Sequence, residues 1–344
     1  MSQFTHTDRT NMINIGLHRH SRSAILFGGF SLLLAFISMS LAIWAPLGFS
    51  IVAVFLFAGP HNWFEFRYFL TRMPAKWGPR KGFFTLGIAG AVTLTVLFGL
   101  QTYLAHTTTW SAQKWMVTTA IWSSALVIWT ACLWWLHQLR PKGHDSSLCF
   151  AIAFLMIGVV WMFPTHWAIG LVYLHPLVAM WFLHRELKKH KPHWLKAYYV
   201  VLGGAGLMLS YLWLSLAGAP DLPGDDALSL RISNHSGASV FRGISTHLLV
   251  ATHVFLEMVH YAIWLIAIPL VSIRRLPWDL TSVPLAKKSI NWRRAVYGIM
   301  AIGLALIVIF WIGFAANYAV TRDIYFTVAI LHVLIEVPFV IRSI

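Results

Sequence analysis

Cysteine is nearly absent from this chain: Cys132 and Cys149 are the two in 344 residues. Neither forms a CxxC spacing, which argues against a disulfide framework and against a thiolate metal site. Charge is scarce as well. Charged residues make up 11% of the chain, and its 11 acids stand against 26 Lys and Arg. Hydrophobic residues make up 58%. This composition excludes an ordinary soluble domain and indicates an all-α polytopic membrane protein. A spanning helix needs about 20 apolar residues, so the length accommodates about ten of them with short connections.

Apolar runs bounded by charge, proline and glycine fall at about 24–44, 47–70, 83–104, 116–137, 147–163, 168–184, 197–217, 244–271, 295–316 and 324–341. The first follows a basic tail and is too long for a signal-peptide core, so it is expected to be kept as an anchor. The second enters the polar stretch GPHNWFEFRYFL, where Pro60 is expected to kink the helix or start a new one. Alternating the runs from a cytoplasmic N-terminus puts Arg72, Lys76, Arg80, Lys81, Arg140, Lys142, Arg185, Lys188, Lys189, Lys191 and Lys196 on the inside. Arg274, Arg275, Lys287, Lys288, Arg293, Arg294 and Arg342 join them. Lys114, Arg231, Arg242 and Arg322 fall outside. The bias follows the positive-inside rule with both termini cytoplasmic, as in the inner membrane of a prokaryote. It accounts for the formal charge of +15 without a nucleic-acid partner. The expected organisation is a basic cytoplasmic tail over 1–23 and one transmembrane domain over 24–344. That domain carries an external loop at 218–243 and a basic internal loop at 272–294. Asp221, Asp225 and Asp226 read as part of a solvated external loop, because their spacing matches no EF-hand. The internal loop, with Pro277, Trp278 and Trp292, is expected to lie against anionic lipid headgroups.

One motif recurs. His61–Glu65, His253–Glu257 and His332–Glu336 each place an imidazole and a carboxylate four residues apart, on one face of a helix. His260 extends the second copy along the same stripe. All three pairs fall on helices running inward, as does His175 on the sixth run. The expected result is a layer of imidazoles above a layer of carboxylates. A charged side chain at the bilayer centre costs about 2.5–3.5 kcal/mol on the insertion scale. Three glutamates would use up more than half of a typical folding stability unless they were compensated. Arg67 is the nearest basic candidate, and it lies at the inner edge. A bound cation answers imidazole and carboxylate together, and this donor mixture suits iron, manganese or zinc, where calcium would want oxygen alone. The candidate ligands are His61, Glu65, His175, His253, Glu257, His260, His332 and Glu336. Their number fits two ions, with iron first.

The remaining histidines carry less weight. His247 could serve a separate outer site. His106, His166 and His235 lie near external ends and are expected to be solvated. His137, His144, His190 and His193 lie among internal basic residues and are expected at the surface. Asn62, Tyr68, Tyr261 and Asn317 are candidates to orient ligands from a second layer. The HRH at His18–His20 does not match the histidine boxes of membrane desaturases and alkane hydroxylases. The stretch Tyr173–Arg185, with His175 and His184, resembles a histidine segment of bacterial membrane carotenoid-cleaving enzymes over about a dozen residues, while the chain's other motifs differ from theirs.

The functional expectation is a membrane metalloprotein that activates O₂ to oxidise a lipid-soluble substrate entering from the bilayer, with a cytoplasmic redox partner. A proton- or ion-coupled transporter is the first alternative. A haem protein with axial histidines ranks below it, since it leaves the repeated glutamates without a role.

Overall fold

The computed structural model describes residues 6–138, 147–272 and 279–344, with side chains from Arg22 onward. Arg140, Lys142, His144, Arg274, Arg275, Pro277 and Trp278 therefore lie outside the described residues, as do the side chains of His18–His20. The chain is an all-α polytopic membrane protein. Among the described residues there is no strand, and nine helices are long and apolar enough to cross a membrane. A tenth apolar helix, Leu148–Met162, is shorter.

In chain order the helices are α1 (His6–Trp44), α2 (Pro46–Ala53), α3 (Gly59–Arg72), α4 (Lys81–Thr107), α5 (Ala112–Gln138) and α6 (Leu148–Met162). There follow α7 (Pro164–His190), α8 (Leu195–Ser215), α9 (Ala227–His235), α10 (Thr246–Ala262), α11 (Ile268–Ser272), α12 (Ile290–Ala316) and α13 (Tyr318–Ser343). Short polar caps set several starts. Ser245, Ser289 and Asn317 each accept a backbone N–H from the first turn of α10, α12 and α13. Helix α1 begins well before the apolar run at residue 24, because hydropathy marks where lipid contact starts and not where the backbone starts to coil. Two π-helical turns interrupt the pattern, Val54–Ala58 before α3 and Ile263–Ala267 after α10.

The chain forms two compact units, one of 1–53 with 176–275 and the other of 54–175 with 276–344. In the first, α1 packs on α8 and α10. Phe27 stacks on Trp194 at 4.7 Å between ring centroids, and the Trp194 indole donates to Ser23 Oγ at 3.1 Å. In the second, α13 packs on α4, α3 and α5, and α12 on α3. The α4–α5 contact is close because position 90 is glycine: a Cβ there would run into the Trp129 indole. That indole donates to Leu86 O at 2.9 Å. Leu70, Leu280, Val283, Leu285, Val296 and Met300 form a cluster that ties the end of α3 to the segment before α12.

The region at 218–243 is loop only in part: Asp221, Asp225 and Asp226 are exposed in the irregular stretch before residue 227, and a helix follows. That helix is α9, started by Asp226, whose Oδ1 accepts from the N–H groups of Leu228 and Ser229, both at 2.8 Å. Thr246 N donates to Asp221 Oδ1 and Leu222 N donates to Thr246 Oγ1, each at 2.7 Å. Asp221 and Asp226 thus work as backbone caps, which is also why their spacing fits no calcium loop.

Candidate metal centre

The second unit collects five of the sequence-selected residues: His61 and Glu65 from α3, His175 from α7, and His332 and Glu336 from α13. The local backbone explains how α3 delivers its pair. Pro60 has no N–H to continue the helix before it, and the π turn adds further displaced carbonyls. Side chains answer them. Trp311 Nε1 donates to Phe55 O at 2.7 Å, His61 Nδ1 to Phe57 O at 3.1 Å, and the Tyr325 hydroxyl to Ala58 O at 3.1 Å. Asn62 Nδ2 donates in turn to the Tyr325 hydroxyl at 3.0 Å. In lipid such groups must be satisfied from within the protein. His61 is therefore held by its own backbone bond, and Asn62 and Tyr325 brace the turn beside it.

That bond fixes the His61 tautomer. A carbonyl only accepts, so Nδ1 carries the proton and Nε2 presents the lone pair. The same logic applies to His175. Its Nδ1 lies 3.1 Å from Glu336 Oε2, which leaves Nε2 as the lone-pair nitrogen. This carboxylate–histidine pairing is the second-layer arrangement that orients metal-binding imidazoles. His175 Nε2 faces His332 Nε2 at 3.1 Å. Two nitrogens on one ion, with bonds of about 2.1 Å, stand roughly 3.0–3.4 Å apart for angles from about 90° to 109°. The separation fits a shared ion as well as it fits a hydrogen bond.

Glu65 completes the set. It is fully buried, at 0% exposure, and among the described residues no backbone N–H and no Lys or Arg side chain donates to its oxygens. The charged group acting on it is a second acid, Glu336. Arg67 turns elsewhere and donates to Asp279 O at 3.2 Å. Ligand atoms of His61, Glu65 and His332 lie within 4.8 Å of one another. The span of one coordination sphere is about 4.2 Å, so small side-chain rotations bring the three onto one ion.

His253, Glu257 and His260 belong to α10 in the first unit. His253 Nδ1 lies 4.0 Å from Glu257 Oε2, and the Tyr261 hydroxyl donates to Glu257 Oε1 at 2.6 Å. His260 is buried. Of the four residues expected to orient ligands, Asn62 and Tyr261 have the bonds given above. Asn317 instead caps α13, and the Tyr68 ring lies under the Arg72 guanidinium at 4.9 Å.

Other positions differ from expectation. His235 is half-buried, with its ring edge-on to His253 at 5.0 Å. α9 folds it back, and nothing in its polar sequence surroundings signals this. His190 is expected at the surface but sits 3.4 Å from Glu186, which is buried. The Glu-x-x-x-His spacing could have revealed that pair, but the flanking lysines mask it. His247 Nε2 is committed to Ile43 O at 3.0 Å, and His184 Nε2 lies 2.9 Å from the Tyr199 hydroxyl. Tyr325 and Trp311 leave no sequence signal at all, since each acts across more than 250 residues of chain. Compared with protein-family models, curated proteins and solved structures, the chain matches none.

Proposed function

We propose that the protein is an intramembrane metalloprotein whose centre in the second unit is held by His61, Glu65, His175 and His332, with Glu336 orienting His175, and that it oxidises a lipid-soluble substrate with O₂ in a prokaryotic cytoplasmic membrane. One observation carries the reading. Glu65 is wholly buried beside a second carboxylate, with three imidazoles around the pair and no Lys or Arg within ion-pair distance among the described residues. Leaving two carboxylates so placed in lipid is costly. Three neutral imidazoles, two carboxylates and one divalent cation sum to zero charge, the state that a low-dielectric interior tolerates best.

The donor set suits ferrous iron, with manganese or zinc as alternatives. Iron would supply open positions for O₂ there. The chain's own residues supply the rest. Backbone and carboxylate bonds orient His61 and His175, and the buried walls exclude water. His175 has 16% of its side chain exposed, and a substrate from the bilayer would reach the centre along that edge. In the simplest balance, a substrate C–H bond gives two electrons and a reduced soluble carrier gives two more. With two protons, O₂ then becomes one inserted oxygen and one water. The carrier is an acidic protein drawn to the basic residues at Arg72–Lys81 and Lys287–Arg294.

The test is elemental analysis of detergent-purified protein beside a Glu65→Ala variant that stays folded. Iron, manganese or zinc in the wild type and its loss from the variant is the expected result; no metal in either protein refutes the proposal. A Soret band in the absorption spectrum would favour haem instead.

One observation favours a second reading. His332 Nε2, His175 and Glu336 form an unbroken series with steps of 3.1 Å, the geometry of a proton relay in a transporter. Proton flux in proteoliposomes prepared with a chelator, abolished by His175→Gln, would support that reading over a metal centre.

A further inference from the structure

From the first unit we infer a second metal site, formed by His235, His253 and Glu257, with Tyr261 as the residue that positions Glu257. It is built wholly from residues of that unit and does not depend on the centre proposed above.

The site starts from a backbone arrangement. Asp226 caps α9, and Asp221 and Thr246 lock the preceding segment onto the first turn of α10. This brings His235, at the end of α9, edge-on to His253 with 5.0 Å between ring centroids and 84° between planes. Two imidazoles bound to one ion through bonds of about 2.1 Å place their centroids roughly 4.5–5.3 Å apart, so the observed separation fits a ligand pair as well as it fits edge-on ring packing. Glu257 follows one turn after His253. The 4.0 Å from His253 Nδ1 to Glu257 Oε2 is inside the diameter of about 4.2 Å that one coordination sphere spans. Tyr261, one turn further on, donates to Glu257 Oε1 at 2.6 Å. It occupies one oxygen and leaves the other, Oε2, on the side of His253. A carboxylate fixed by an outer hydrogen bond is how protein ligands are commonly oriented.

Two imidazoles and one carboxylate with open positions is a donor set for zinc or ferrous iron. One carboxylate leaves a divalent ion with a unit of positive charge. Solvent can offset it, because His235 is half-buried and the segment that follows it in the chain is exposed at Ser239 and Gly243. The ligand is therefore a first-row divalent cation that exchanges with the aqueous phase bathing the α9 loop.

The experiment uses the full chain purified in detergent, stripped with a chelator and reloaded with zinc or cobalt(II), with bound metal counted per chain after desalting. The wild type is expected to hold two ions. His253→Ala and the milder His235→Asn should each hold one, and Glu65→Ala should hold the other. Tyr261→Phe should weaken one of the two sites by about tenfold without changing the count at saturation. His235→Asn lies on a short peripheral helix, so it reports even if His253→Ala fails to fold. Unchanged stoichiometry in His235→Asn overturns the site. So does a single wild-type ion that Glu65→Ala removes, and in that case the centre in the second unit stands. A wild type without metal removes both.

Discussion

At the scale of single residues, burial without a donor decides what a side chain can be for. Glu65 and Glu336 are both buried acids, yet they do different work. Glu336 accepts from His175 Nδ1, so Glu336→Gln should keep most of the packing while weakening the grip on the His175 tautomer. Metal affinity should fall by about 10–100-fold, the usual effect of losing an outer-layer partner. Competition against a chelator of known affinity measures it. Asp226 shows the opposite situation, an exposed acid with a full set of donors. The Ser229 hydroxyl and N–H, with help from the Leu228 N–H, hold its carboxyl below the usual aspartate range. A depressed folded-state pKa contributes stability that is present above the unfolded-state value and lost as pH falls through the folded one. Amide exchange across 227–238 should therefore be slow at neutral pH and speed up on acidification through and below the ordinary aspartate range. In Asp226→Ala it should be fast at every pH.

At the scale of elements, the interruption before α3 is the costly feature, and its repair is long-range. The Tyr325 hydroxyl serves two partners, Ala58 O and Asn62. Tyr325→Phe should destabilise the protein by about 1–3 kcal/mol, since it leaves buried polar groups unmet, and should loosen His61 one turn away. A lower thermal midpoint in detergent together with weaker metal binding is the expected pair of results. Gly90→Ala probes packing apart from polarity. The added methyl meets the Trp129 indole, and overpacking of this kind costs about 1–3 kcal/mol, with metal content per folded chain unchanged. These elements also show what a sequence can reveal. The His-x-x-x-Glu pairs stand out because i, i+4 polar residues are conspicuous on an apolar helix, and Pro60 marks the break in the second run. The π turn that the break requires has no residue signature. The side chains that mend it lie far along the chain. Helix α9 is hidden because its polar composition looks like loop, and only its cap at Asp226 and its contact with α10 distinguish it.

At the scale of the whole molecule, the division into two units is invisible in the sequence, because each unit interleaves an early segment with a late one. Topology is more legible, and it turns on α6. Fifteen residues of α-helix span about 22 Å against a hydrocarbon core of about 30 Å. By length alone α6 could dip into the bilayer and return. Charge argues that it crosses. If it returned, the group Arg185, Lys188, Lys189, Lys191 and Lys196 would lie on the side opposite Arg72, Lys76, Arg80 and Lys81. Two strongly basic connections would then face opposite compartments, against the positive-inside rule. Packing agrees with a crossing: Ala153 and Val160 of α6 lie in a seam with Ala120, Val127 and Ala131 of α5, the close small-residue contact that pairs helices in lipid. The mismatch costs only fractions of a kcal/mol per Å when the bilayer thins locally. Single cysteines introduced after removal of Cys132 and Cys149 test this in intact cells. Lys76→Cys, Lys189→Cys and Ser289→Cys should resist an impermeant maleimide, while Ala112→Cys, His166→Cys and Asp225→Cys should react. Labelling of Lys189→Cys from outside, with Lys76→Cys still protected, would make α6 re-entrant and put the C-terminus on the other side of the membrane from Lys76.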